Sequence, residues 1–210
     1  TLLSLARDKS VEGRTALVKA LGDLFYDSHS ELSIDERNLM GDILQRLIGD
    51  VETVVRKALA ETLSGIPDAP PQIISALAND SLDIAYPILI ESSVLQDMEL
   101  VEIIRHRTHE HQLAIAMRAS VSETVSDALV DTDNNDVIRT LVENRGAHIS
   151  GETLEKIVDR SESQTDLQDP LLRRTELSPT LAKRMYWWVS AALRKSIVDR
   201  FDIDSVELDK

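Results

Sequence analysis

Apolar residues along this chain recur every three or four positions in short stretches that polar turns separate. One such stretch carries an apolar series that is easy to read: Leu39, Met40, Ile43, Leu44, Leu47 and Ile48. A spacing of three or four places side chains on one face of an α-helix. The pattern therefore predicts a protein built from short amphipathic helices.

The residues that can open a helix recur at a nearly constant interval between Val51 and Val189. They are Ala69-Pro70, Gln96, Ser122, Ser150 and Ser178, and they are spaced 27, 26, 28 and 28 residues apart. A fixed period of this size is typical of solenoids, in which each unit covers its apolar face with its neighbours. The sequence predicts an all-α fold, an α-solenoid of about five short helical hairpins stacked with a right-handed turn.

Two prolines share one register in the first helices of the second and fifth hairpins. Pro87 and Pro170 each precede a run of aliphatic residues, and each is expected to start or kink its helix. A kinked first helix is a habit of HEAT-type repeats, although these units are shorter than the usual ~40 residues. The predicted units are therefore HEAT-like.

The chain divides into three predicted parts. Residues 1–50 form an N-terminal helical cap, with Ser10 capping one helix and Ser33-Ile34-Asp35-Glu36 forming a capping box before another. Residues 51–202 are the HEAT-like repeats, and residues 203–210 are an acidic tail or linker. The cap is expected because the first unit of a solenoid needs a cover for its apolar side.

Composition supports helices and argues against several functions. Aromatic residues make up only 3%, and seven Gly and six Pro are few for the turns of an all-β fold. A net charge of −14 makes nucleic acid an unlikely partner. The chain has no cysteine and no apolar run near the ~20 residues that span a bilayer, so we expect a cytoplasmic protein with no membrane association.

Several stretches resemble one bacterial family of uncharacterised helical-repeat proteins. These stretches are LLSLARDKSVEGR, LSIDERNLMGDILQRLIGDVETVVRKALAETL, ISALANDSLDIAYPILIESSVL and HEHQLAIAMRASVSETVSDALV. The resemblance spans essentially the whole chain and implies a HEAT-like helical fold, with no activity, ligand or catalytic residue attached. Members are often longer, so a further C-terminal part is expected beyond this sequence.

The densest cluster of ionisable residues runs from Arg105 to His111 and includes His106 and His109. Imidazoles bind transition metals, but ligands on one helix face lie three or four residues apart, and this segment is expected to cross a turn between repeats. The sequence therefore predicts no metal site, no cofactor and no catalytic residue here. A solvated turn between repeats is favoured over a metal site.

A second basic feature follows the ends of successive first helices, at Arg118, Arg145, Arg173 and Arg174. Such a ridge could grip an acidic peptide or phosphate groups. The series is interrupted by Glu91 in the second repeat, and basic residues are favoured at helix C-termini by the helix dipole. A structural role is therefore favoured over a binding role.

The last predicted helix runs from Pro179 to about Arg200. Trp187 falls on the side opposite Met185, together with Ala191 and Val198, and Lys183 and Arg194 flank that side. An exposed tryptophan that the core does not need indicates a surface covered by something else. The candidates are a C-terminal segment, a second copy of the chain, or a partner protein.

The function expected from these features is a non-catalytic protein-binding scaffold or regulatory, signalling module. The partner is another protein of unknown identity, and the chain is not expected to be an enzyme. The predicted contact residues are Arg105, His106, His109, His111, Arg118, Arg174, Trp187 and Arg194. Two alternatives stay open: a nucleic-acid-processing HEAT-like enzyme, and a dimerisation module that pairs through the last helix.

Overall fold

A computed structural model describes residues 10–27 and 53–201, and the protein is all-α over these ranges, as predicted. No β-strand occurs in the described ranges, where one isolated bridge joins Val121 to Ala147. Leu, Ile, Val and Ala form most of the buried core, which agrees with the low aromatic content. The chain divides into two compact units, Thr1–Ile115 and Ala116–Lys210, which are described separately below.

The first unit contains consecutive helices joined by short turns. They are α1 (Val11–Asp27), α2 (Thr53–Leu63), α3 (Pro71–Ala78), α4 (Leu82–Glu91), α5 (Asp97–His106) and α6 (His109–Ala116, whose last residue belongs to the second unit). Helix α2 packs on α1, α3 and α4. The N-terminal end of α1 is capped as expected, because the Ser10 hydroxyl accepts a hydrogen bond from the Gly13 N–H at 3.0 Å.

The second unit repeats the same short helices. They are α7 (Glu123–Val130), α8 (Asn135–Glu143), α9 (Gly151–Arg160), a 3₁₀ turn (Thr165–Leu167) running into α10 (Gln168–Leu172), α11 (Pro179–Met185) and α12 (Ala191–Phe201). Alternate helices pack side by side: α8 on α10, and α9 on both α7 and α11.

The predicted helix openers are the residues at which the helices begin. Ser122, Ser150 and Ser178 each accept a hydrogen bond from the N–H three residues ahead. Pro70 precedes α3, and Gln96 precedes α5 with its N–H bonded to Glu99 at 3.0 Å. The interval read from the sequence therefore marks real helix starts in both units.

The two prolines that share a register in the sequence occupy different positions in their helices. Pro87 lies inside α4, and Pro170 is the third residue of the five-residue helix α10, which follows a 3₁₀ turn.

The prediction of one helix from Pro179 to about Arg200 is wrong, because turns occupy residues 186–190 between α11 and α12. Ser190 ends this break, since its hydroxyl caps the next helix by accepting a hydrogen bond from the Leu193 N–H at 3.4 Å.

Parts of the predicted organisation fall outside the described residues. The capping box at Ser33–Glu36 and the acidic tail at 203–210 lie there, so the cap at 1–50 and the limits 51–202 of the repeats stay predictions. None of the helices within the described ranges has the length and apolar character needed to cross a membrane.

Candidate interaction surface

Aromatic and basic side chains lie at the break between α11 and α12 and on the first turns of α12. We call them the Trp187 surface: half-buried Tyr186, and exposed Trp187, Arg194 and Lys195. The Trp187 side chain is 62% exposed, and its ring meets the Tyr186 ring edge-on, with centroids 5.9 Å apart. The Arg194 guanidinium lies 5.2 Å from the centre of the Tyr186 ring. Arg194 also donates to the Trp187 carbonyl at 3.4 Å, so two predicted contact residues are neighbours.

Packing explains why one tryptophan is exposed and the next is not. Met185, the last residue of α11, and Val189, within the break, are both buried. Trp188 is half-buried between them, and its indole N–H donates to the Ser161 hydroxyl at 3.2 Å. The core therefore uses Trp188, and Trp187 is left on the outside.

Two other predicted contact residues lie on the exposed face of α5 in the first unit. The side chains of Arg105 and His106 are 61% and 71% exposed. Both contact Glu102, at 3.3 Å and 3.2 Å respectively. Met98, which is 65% exposed, lies one turn before Glu102 on the same face. This face is accessible, but its charges are already paired with a neighbour on the same helix.

The two remaining histidines of the cluster are turned inward. His111 is buried, its Nε2 donates to the Asp80 carbonyl at 3.0 Å, and its Nδ1 lies 2.9 Å from the Thr108 hydroxyl. His109 is partly buried, and its Nε2 is buried without a partner among the described residues. His111 is therefore a structural residue that ties the start of α6 to the turn before α4, and we remove it from the proposed contact set.

The electrostatics of this turn give no indication of a metal site. A hydrogen bond with the Thr108 side chain lowers the pKa of Glu110, and its own main chain and the nearby charges of His109 and His111 lower it further. Across residues 10–27 and 53–201 no three His, Cys, Asp or Glu side chains are grouped closely enough to hold a metal ion. The segment crosses the turn between α5 and α6, as predicted.

Arg174 is also internal, although its spacing suggested a surface ridge. Only 5% of the residue is exposed. Its guanidinium donates to the main-chain carbonyls of Val142, Asn144 and Ala147, which lie at and just beyond the end of α8. Helix C-termini leave such carbonyls without partners, and a buried cation satisfies them well. The partner-binding prediction for Arg174 is replaced by a structural role.

The same arrangement occurs twice more in the second unit, at Asn144 and at Arg200. The Asn144 side chain donates to the carbonyls of Ala116 and Arg118, both at 2.8 Å. Arg200 donates to the carbonyls of Leu172 and Arg174. A polar side chain near the end of one helix thus binds the carbonyl end of the helix one period before it. Arg118 itself is half-buried.

Carboxylates line the two small clefts beside Arg174 together with three arginines. Arg145, Arg173 and Arg174 line both clefts, Glu143 and Asp169 line one of them, and Glu176 lines the other. Arg173 pairs with Asp169 at 2.7 Å. Burial alone would raise the pKa of Glu176, yet the hydrogen bond and charge of Arg174 outweigh burial and lower it. Within the arginine ridge, Arg173 and Arg174 are therefore neutralised by their own neighbours.

Two members of the Trp187 surface, Tyr186 and Lys195, were not predicted from the sequence. The helical pattern was taken as one unbroken helix from Pro179 to about Arg200, which the turns at 186–190 invalidate. A signal was nevertheless present in the composition. Residues 179–201 hold four of the seven aromatic residues of the chain. That concentration marks the segment independently of any helix boundary.

The described architecture is that of an all-α protein made of short helices that begin at a regular interval. Within that class the chain belongs to a bacterial family described as an uncharacterised protein conserved in bacteria (DUF2336), whose family profile matches residues 84–210. The match covers more than half of the sequence and bears out the family resemblance. Comparison with curated proteins and with solved structures gave no match.

Proposed function

We propose that this protein is a non-catalytic protein-binding module with a regulatory or signalling role in the bacterial cytoplasm, and that it binds through the Trp187 surface. The observation that carries the proposal is the exposure of Trp187 beside Tyr186 and Arg194. Trp, Tyr and Arg are the residue types that most often dominate binding energy in protein interfaces. An exposed tryptophan that contributes nothing to the core is therefore best explained by a partner.

The regular helix starts give a second line of support. Side-chain hydrogen bonds in the second unit connect residues about one period apart, as between Asn144 and Ala116, Arg174 and Asn144, and Arg200 and Leu172. Such links suit a HEAT-like solenoid, in which each unit contacts only its neighbours and the exposed positions can vary. Solenoids bind partners along extended concave surfaces whose exposed positions can vary, so this architecture favours recognition over catalysis.

A nucleic-acid-processing enzyme is the alternative that the arginine ridge would favour. Phosphate recognition requires cations that remain available, and typical duplex binders make about 6–10 phosphate contacts. Arg174 is buried against carbonyls, and Arg173 is paired with Asp169. A salt-dependent shift of duplex DNA at low ionic strength would support the enzyme reading, and we expect no such shift.

The proposal is tested by affinity purification from the native bacterium with three matched baits: wild type, Trp187→Ala and Met98→Ala. Met98 is as exposed as Trp187 but lies on α5. We expect at least one protein whose recovery falls about tenfold with Trp187→Ala and is unchanged with Met98→Ala, since a hot-spot residue contributes about 1.4 kcal/mol or more. Equal recovery with all three baits would contradict the proposal.

Self-association is separated from partner binding by sedimentation. If the protein is a dimer that Trp187→Asp converts to a monomer, the surface pairs with a second copy and the module is a dimerisation device. We expect the wild-type protein and Trp187→Asp to sediment alike. That result leaves the surface free for a different protein.

A further inference from the structure

Charge is distributed unevenly along this chain. The whole sequence carries a net charge of −14, but residues 179–201 contain five basic residues and one acidic residue, a net charge of +4. The basic residues are Lys183, Arg184, Arg194, Lys195 and Arg200. Helices α11 and α12 are therefore a basic segment in an acidic protein, and the aromatic residues concentrate in the same place.

Two of these cations are already used inside the second unit. Arg184 forms ion pairs with Glu155 and Asp159 on α9. Arg200 donates to the carbonyls of Leu172 and Arg174. Their charges stabilise packing between helices and contribute little to recognition.

Arg194 and Lys195 are different, because both side chains are exposed and lack an ion pair within the described residues. The Arg194 guanidinium is positioned by the Tyr186 ring at 5.2 Å and by the Trp187 carbonyl at 3.4 Å. A guanidinium that is positioned in advance loses less entropy when it binds a carboxylate. The Trp187 surface thus combines an oriented cation with an exposed indole, and Lys195, the next residue along α12, adds a second exposed cation.

We infer that the Trp187 surface recognises a segment of a partner protein in which acidic and aliphatic side chains alternate. The carboxylates would pair with Arg194 and Lys195, and an aliphatic side chain would pack on Trp187. This inference rests on the proposed protein-binding function and specifies the chemistry of the partner.

The number of available cations decides against the two other anionic partners. A nucleic acid is held by many phosphate contacts, about 6–10 for a typical binder, whereas this surface supplies two unpaired cations. Each basic residue near an anionic bilayer contributes about 1 kcal/mol to the free energy of membrane binding. That contribution must overcome the repulsion between the bilayer and a chain with a net charge of −14. One or two carboxylates on a short peptide segment match two cations and one indole.

The test is selection of binders from a randomised peptide-display library with the full chain, with removal of peptides that also bind Trp187→Ala. We expect the remaining peptides to be enriched in Asp and Glu beside Leu, Ile or Val. Their affinity should fall about tenfold for each of Arg194→Glu and Lys195→Glu, equivalent to about 1.4 kcal/mol. The matched control is Lys57→Glu, because Lys57 is exposed on α2 in the first unit and should leave affinity unchanged.

Each outcome has a distinct meaning. Trp187-dependent peptides without acidic enrichment would overturn the inference and leave the protein-binding function standing. A library that yields no Trp187-dependent peptide would count against the proposed function itself. Equal losses with Arg194→Glu and Lys57→Glu would overturn the inference, because net charge alone would then explain binding. The inference would also be overturned if the protein bound phosphatidylserine-containing vesicles or single-stranded DNA more tightly than the selected peptides, and if that binding depended on Arg194.

Discussion

The Arg174 guanidinium donates a hydrogen bond to the main-chain carbonyl of Asn144 at 2.6 Å. Asn144 in turn donates its side-chain amide to the carbonyls of Ala116 and Arg118. The two residues are consecutive links that join the ends of helices one period apart in the second unit. We expect these links to raise the free energy of unfolding, because a buried carbonyl that lacks a hydrogen-bond donor costs about 1–3 kcal/mol.

Arg174→Met should lower the free energy of unfolding by about 3 kcal/mol, since it removes the donor from three carbonyls in a buried site. The matched control is Arg173→Met at the neighbouring position. Arg173 is exposed and makes one surface ion pair, so its loss should change stability by less than about 0.5 kcal/mol. Urea unfolding measures both variants, and equal effects would show that Arg174 has no special structural role.

Gly146→Ala should destabilise the second unit by about 2 kcal/mol, because a Cβ there would lie 2.0 Å from the Ala119 carbonyl oxygen. The main chain on either side is fixed by the hydrogen bonds of Val121 with Gly146 and His148, so it cannot yield easily. Gly151→Ala is the control, since nothing lies within 4 Å of a Cβ at that position. Thermal unfolding should show an unchanged or slightly raised midpoint for Gly151→Ala.

Glu176 should contribute to stability at neutral pH and lose that contribution in acid. Its pKa is lowered in the folded protein, so the contribution is complete above the unfolded value of about 4.3 and disappears as the pH falls through the lowered folded value. The side chain is partly exposed, which limits the effect at neutral pH to at most about 1 kcal/mol. Urea unfolding of wild type and Glu176→Gln should differ at pH 7 and converge as the pH falls through the lowered folded pKa of Glu176; a constant difference would refute the link.

The two adjacent tryptophans should differ in both stability and fluorescence. Trp188→Phe loses the hydrogen bond to Ser161 and should cost about 1–2 kcal/mol, whereas Trp187→Phe should cost less than about 0.5 kcal/mol. The single tryptophan that remains in Trp188→Phe is exposed, so acrylamide should quench it strongly. If Trp188 is quenched as strongly in Trp187→Phe, the assigned burial of these residues is wrong.

The helix starts could be predicted from sequence because capping is local. Ser122, Ser150 and Ser178 bond to N–H groups only three residues ahead, and this chemistry is visible in the residue types and their spacing. The resemblance of the chain to its bacterial family was likewise readable from contiguous runs of sequence. Both are short-range signals.

The roles of His111 and Arg174 could not be predicted, because their partners are distant in sequence. His111 bonds to the Asp80 carbonyl 31 residues earlier, and Arg174 bonds to carbonyls 27–32 residues earlier. In the sequence both resemble surface residues of a basic cluster. The break at 186–190 could not be predicted from helical periodicity either, because the periodic pattern continues through these residues.

Site-specific photo-crosslinking in the native bacterium tests the binding account most directly. A photoreactive amino acid replaces Trp187 in one strain and Met98, an equally exposed position, in another. We predict a discrete crosslinked protein at position 187 that weakens when Arg194→Glu is added, and no such product at position 98. Equal products at the two positions, or products at position 187 that contain only lipid or nucleic acid, would contradict the account.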